Sequence, residues 1–110
     1  MDQLSLLQEI VALYERHGWE LRRALLTTTT NEAIGDAAAE LLREAKIIET
    51  DVDALWFARP SHGGREAWEL RLVTEQPYAL FEAFESDEAE EDREDARCEI
   101  ENRIREYAAR

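Results

Sequence analysis

The sequence predicts an α+β fold, an antiparallel sheet of about four strands with helices packed on one face, in the order α-β-α-β-β-β-α. Three observations carry this expectation. Apolar residues recur at helical spacing near both ends of the chain, "WELRRALLT" and "REAWELRLV" alternate with a period of two, and the glycine pair of "SHGGRE" separates two such alternating runs. The chain has 110 residues, 45% hydrophobic and 35% charged. That length suits one hydrophobic core, so residues 1–110 are expected to form a single domain.

The elements follow in order. Leu4, Leu7, Val11 and Tyr14 lie on one face of a helix expected over residues 3–17, with Gly18 placed to end it and His17 suited to the negative end of its dipole. Trp19, Leu21 and Leu25 then alternate with polar neighbours as a strand. In "TTTTNEAIG", Thr29 and Glu32 have the spacing of a capping box that would start a second helix. Its apolar stripe would be Ile34, Ala37, Ala38, Leu41, Leu42 and Ala45, weakened by Gly35 by about 1 kcal/mol relative to alanine.

"DALWFARPS" and "REAWELRLV" read as a hairpin, with Trp68, Leu70 and Leu72 facing the helices. Trp56 and Phe57 are neighbours in one strand, so one buried face takes only one of them, and alternation does not say which. "YALFEAFE" reads as a fourth strand; the competing reading is a helix begun by Pro77, since Tyr78, Phe81 and Phe84 are spaced by three. From Ser86 the composition turns acidic. Carboxylates crowd the start of this segment and arginines its end, as a helix dipole favours, and Ala96, Ile100, Ile104 and Tyr107 give its second half a docking stripe.

The net charge of −13 repels nucleic-acid phosphates and anionic lipids, so neither nucleic acid nor membrane is an expected partner. A basic protein is attracted instead, and self-association into a homodimer is the other expected use of an apolar sheet face. One cysteine, Cys98, precludes an internal disulfide, and acidic neighbours disfavour its thiolate, so it reads as inert. The N-terminal segment lacks a basic leader and a long apolar run, which makes the cytoplasm the expected location.

Each chemical motif is weaker than its structural counterpart. Ser61 beside His62 lacks the separate orienting carboxylate and oxyanion donors of a hydrolase, whereas two glycines between strands suit a hairpin turn. Two histidines without ligand spacing and an acidic run without a calcium-loop glycine point to no metal site, and no cofactor is expected. The threonine run reads as a helix cap rather than a phosphate site.

The leading expectation is therefore a noncatalytic interaction module, such as an adaptor, small chaperone or regulatory subunit. Its contact residues would be Asp87, Glu88, Glu90, Glu91, Asp92, Glu94 and Asp95, joined by His62 and Arg65 in the exposed turn. The runner-up is a small-molecule binder or small enzyme, with a tryptophan-lined pocket between sheet and helices that uses His62, Arg65 or Arg71 as polar groups. A third reading, nucleic-acid binding through Arg22, Arg23, Arg43 and Lys46, opposes the global field.

Overall fold

A computed structural model describes residues 2–110. The chain forms α1 (Gln3–Arg16), β1 (Glu20–Leu26), α2 (Thr28–Ile34), α3 (Ala37–Leu42), β2 (Lys46–Glu49), β3 (Ala54–Pro60), β4 (Glu66–Leu72), β5 (Ala79–Phe84) and α4 (Glu90–Ala108). The five strands make one sheet in the order β2-β1-β3-β4-β5. All neighbours are antiparallel except β1 and β2, which run parallel. The α+β class and the meander of the last three strands are as expected.

Helix α1 begins with the Asp2 carboxylate accepting from the Ser5 N–H at 2.8 Å, a cap that fills one unpaired backbone donor. It ends as expected at Gly18. The Trp19 N–H reaches the Tyr14 carbonyl and the Gly18 N–H reaches that of Glu15, while the rings of Trp19 and Tyr14 meet edge to face at 6.0 Å.

The single second helix is corrected to two. Thr27 is the cap, its hydroxyl accepting from the Thr30 N–H at 3.1 Å, two residues before the expected Thr29 cap. It stops at Gly35, whose φ of +44° and ψ of −136° cannot continue a helix. α3 then starts on its own turn. Ile34 and Leu42 are buried from the expected stripe and Leu41 and Ala45 are partly buried, but Ala37 is exposed; the side chain of Ala38 lies outside the described residues.

The fifth strand, β2, follows α3 directly. The helical connection between β1 and β2 is long enough to bring "KIIE" back alongside β1 in the same direction, with Ala24 opposite Ile47. The sheet is thus mixed, and β2 and β5 are its edges.

Helices lie on both faces, which corrects the expected one-sided arrangement. Leu6, Leu7, Ile10, Val11 and Tyr14 of α1, with Ile34 and Leu42, cover Leu21, Ala24, Leu26, Leu55 and Phe57. On the other face Ile100 and Ile104 of α4 cover Leu25, Trp56, Trp68, Leu70 and Phe84. Trp68, Leu70 and Leu72 do face a helix, and that helix is α4. Trp56 and Phe57 are both fully buried, one in each layer. Residues 54–58 of β3 are accordingly buried without interruption, as in a strand covered on both sides.

β5 is a strand, not a helix begun by Pro77, and the turn before it is closed by the Leu72 N–H donating to the Tyr78 carbonyl at 2.9 Å. Its residues pair along β4, from Glu66 with Phe84 to Arg71 with Ala79.

Candidate functional site

Acidic residues and arginines meet at the end of the sheet where β3, β4 and the entry to α4 come together. α4 starts later than its acidic composition suggests, at Glu90, so Asp87 and Glu88 belong to the preceding turn. Arg93 holds that turn: its guanidinium donates to the carbonyls of Glu85 at 2.6 Å and Glu88 at 3.1 Å. The Glu88 carboxylate in turn accepts from the Glu85 N–H at 3.1 Å.

The carboxylates of α4 divide into two sets. Glu90 and Glu94 pair with Arg97 at 2.7 and 3.2 Å, Glu90 from an exposed position and Glu94 from a half-buried one. Glu94 also takes both terminal nitrogens of Arg23 from β1 at 2.9 Å, a bidentate pair that holds its carboxyl below the usual carboxylate range. Glu101 accepts from the Trp56 indole N–H at 2.8 Å. Glu91, Asp92 and Asp95 are exposed, and their side chains make no hydrogen bond or ion pair among the described residues. Glu99, one turn further on, is exposed on the same side and extends this row beyond the expected residues.

Arg97 is the residue that sequence reading missed. It is 2% exposed, sandwiched by Trp68 and Phe84, and it fills the inner stripe of α4 where apolar residues are lacking. The signal is its spacing: Arg93, Arg97, Ile100 and Ile104 fall at helical intervals of three and four. Long arginine stems cover apolar surface as alkyl chains do.

"SHGGRE" is the connection between β3 and β4. His62–Gly64 form one 3-10 turn, with φ of +67° at Gly63 and +76° at Gly64, values that glycine adopts without a steric penalty. His62 and Arg65 are both exposed. Arg65 pairs with Glu85 at 2.9 Å, and a Cβ on Gly64 would stand 3.4 Å from that of Ser86, so the turn lies against the start of the acidic segment. The turn and the start of the acidic segment are therefore neighbours, and of the expected contact residues Arg65, Glu88, Glu90 and Glu94 already have partners within the chain.

Comparison with family models, curated proteins and solved structures gives no match for this chain. No residue role is carried over from a relative.

A second feature lies on the α1 face. A groove of about 550 Å³ opens between the end of α1 and the β4–β5 pair, lined by Leu13, Tyr14, Trp19, Arg59, Arg71 and Tyr78 among others. Arg71 is the one polar group of the expected pocket found there. His62 and Arg65 are in the turn, while Trp56, Trp68 and Phe84 belong to the packed layer under α4. Phe81 is 59% exposed on the β5 edge.

Cys98 is exposed, and partial burial with Glu101, Glu94 and Asp95 nearby pushes its thiol pKa up, which disfavours the nucleophilic thiolate. No group of three or more metal-ligating side chains gathers among the described residues. Of the residues in the nucleic-acid reading, Arg23 faces Glu94, Arg43 faces Glu40 at 3.2 Å, and Arg22 faces Glu20 at 3.7 Å. No helix among the described residues is long and apolar enough to cross a membrane. The chain is a small globular domain whose acidic C-terminal helix forms salt bridges with its own sheet.

Proposed function

We propose that this domain is a noncatalytic protein-interaction module that presents the outer side of α4 and the adjoining 61–65 turn to a basic partner. The observation that carries this reading is the division of carboxylates on α4. Glu94 and Glu101 fasten the helix to the sheet and Glu90 pairs with Arg97 within it, while Glu91, Asp92 and Asp95 are exposed and have no countercharge among the described residues. A row already held in place loses little freedom on binding, and its field steers a positive surface toward it. Asp87 and His62 extend the surface at its sheet end. A single cysteine leaves no internal disulfide to maintain, which suits a reducing compartment such as the cytoplasm.

The test compares two tagged baits in lysate of the host cell, the wild-type chain and a Glu91→Gln, Asp92→Asn, Asp95→Asn variant, eluted in steps of salt. A basic protein held by the wild type and lost from the folded variant supports the reading. Equal retention by both baits sinks it, as does a clean wild-type bait.

Self-association is a second reading, favoured by Phe81, a large exposed apolar side chain on an edge strand. A dimer in light scattering that Phe81→Glu converts to monomer supports it; a monomeric wild type at millimolar concentration excludes it.

A further inference from the structure

The groove on the α1 face contains a buried cation with too few partners. Arg71 projects from β4 and is 6% exposed. Of the five N–H donors of its guanidinium, one on Nη2 reaches the Thr74 carbonyl at 3.2 Å, and the group also acts on the Tyr14 hydroxyl, whose pKa it lowers against the larger effects of burial and Glu69. Its Nε is fully buried and has no hydrogen-bond partner among the described residues. No carboxylate among those residues lies within ion-pair distance of it. Glu69, two residues away on the same side of β4, is engaged by the Tyr14 hydroxyl, which donates to it. Burying a charge without an anion costs far more than burying a paired one, so Arg71 is the group in this molecule most in need of a counterion.

The surroundings describe the rest of that counterion. Arg59 adds a second positive charge at the groove, its guanidinium carbon 4.3 Å from the centre of the Trp19 ring and its Nη1 donating to the His17 carbonyl at 2.7 Å. Two arginines thus face one carboxylate, in a chain whose net charge is −13. The other walls are apolar or aromatic: Leu13, Trp19 and Tyr78. The Tyr14 ring cannot swing away from the floor because it is stacked on Phe57, with centroids 4.1 Å apart. A volume of about 550 Å³ is within the range of small-molecule sites.

We propose that this groove binds a small aryl carboxylate, the carboxylate lying against the guanidinium of Arg71, with Arg59, four residues further along the strand pair, adding positive charge and the aryl body against Trp19, Leu13 and Tyr78. An arginine fork matches a planar carboxylate with two parallel hydrogen bonds, which a neutral amide cannot match in charge. The site is separate from the acidic side of α4 and does not depend on the interaction reading.

The test uses 3-phenylpropionate and its neutral amide as probes, titrated into the ¹⁵N-labelled full chain. The expected result is a saturable shift of the Arg71 Nε–H signal and of the His17 and Ala79 amides, with the acid bound about tenfold or more tighter than the amide, a gap of about 1.4 kcal/mol. Arg59→Gln, an exposed change that leaves the core intact, is expected to weaken the acid several-fold, and Arg71→Gln to abolish the preference for acid over amide. Arg103→Gln, on the far helix, should change nothing. Equal affinity for acid and amide overturns the proposal, as does a titration unmoved by Arg59→Gln. Inorganic phosphate binding as tightly at the same signals overturns the aryl part. Should Arg71→Gln fail to fold, the acid-to-amide ratio on the wild type and on Arg59→Gln still decides.

Discussion

The guanidinium carbon of Arg97 lies 4.1 Å from the centroid of the Trp68 ring, on the floor of the layer between α4 and the sheet. Phe84 flanks it at 5.2 Å, and Glu90 and Glu94 close over its outer side. The side chain acts both as packing volume and as a cation against two aromatic faces. Replacing it separates the two roles. Arg97→Ala empties the space and is expected to cost about 3 kcal/mol in urea unfolding. Arg97→Met keeps most of the volume and is expected to stay within about 1 kcal/mol of wild type, because an apolar isostere escapes the desolvation cost of a buried charge. Equal losses in both variants would assign the stability to the charge instead.

Asp53 ties α1, α2 and β3 together. Its carboxylate accepts from the Thr27 N–H at 2.7 Å, the Thr30 hydroxyl at 2.6 Å and the Gln3 amide at 2.9 Å. Asp53→Ala leaves these donors without their acceptor in a partly buried corner, and a loss of about 2–3 kcal/mol is expected. Hydrogen exchange at the Thr27 amide should accelerate well beyond the global change. Unchanged protection there would mean that the helix cap does not depend on Asp53.

Alkaline titration should weaken the α1 layer through Tyr14. Burial and the Glu69 carboxylate raise its phenol pKa above the ordinary value of 10. A raised folded-state pKa means a stabilising contribution that is complete below pH 10 and is lost as pH rises toward the folded value. The wild type should therefore lose stability above pH 10 relative to Tyr14→Phe, whose curve lacks this component. Parallel curves for the two proteins would contradict the assignment.

Acid titration should act on Glu94. The Arg23 hydrogen bond lowers its pKa below 4.5, so its contribution is present above that pH and disappears as pH falls through the lower folded value. Glu94→Gln is expected to be less stable than wild type at pH 7 and to converge with it in strong acid. A constant difference across the range would exclude the Arg23 pair as its cause.

How much of this was legible in the residues differs between elements. α1, β1 and β4 follow from periodicity, and β3 and β5 from their length and the turns that bound them. β2 has four residues and no alternation of burial, and it pairs at an edge, so it lacks a local signal; only the crossover from β1 reveals it. The two-sided covering was hidden for a related reason. Half of the inner stripe of α4 is arginine, and charge counts read Arg93 and Arg97 as surface, whereas ion pairs and aromatic rings bring Arg97 inside. The acidic cluster was visible as composition, but its division into paired and unpaired carboxylates depends on Arg23 of the sheet and on Arg97 of the helix itself. The groove at Arg71 joins α1 to β4 across some 55 residues, as between Tyr14 and Glu69, a separation over which spacing says nothing.

The uninterrupted burial of residues 54–58 sets where this chain is free to change length. Trp56 faces one layer and Phe57 the other, so losing or gaining one residue inside β3 would exchange the two rings between layers shaped for the opposite partner. Additions at 61–65, where every side chain is exposed, leave both layers in register. Lineages descended from this chain should therefore vary in length at that turn while keeping β3 at a constant count.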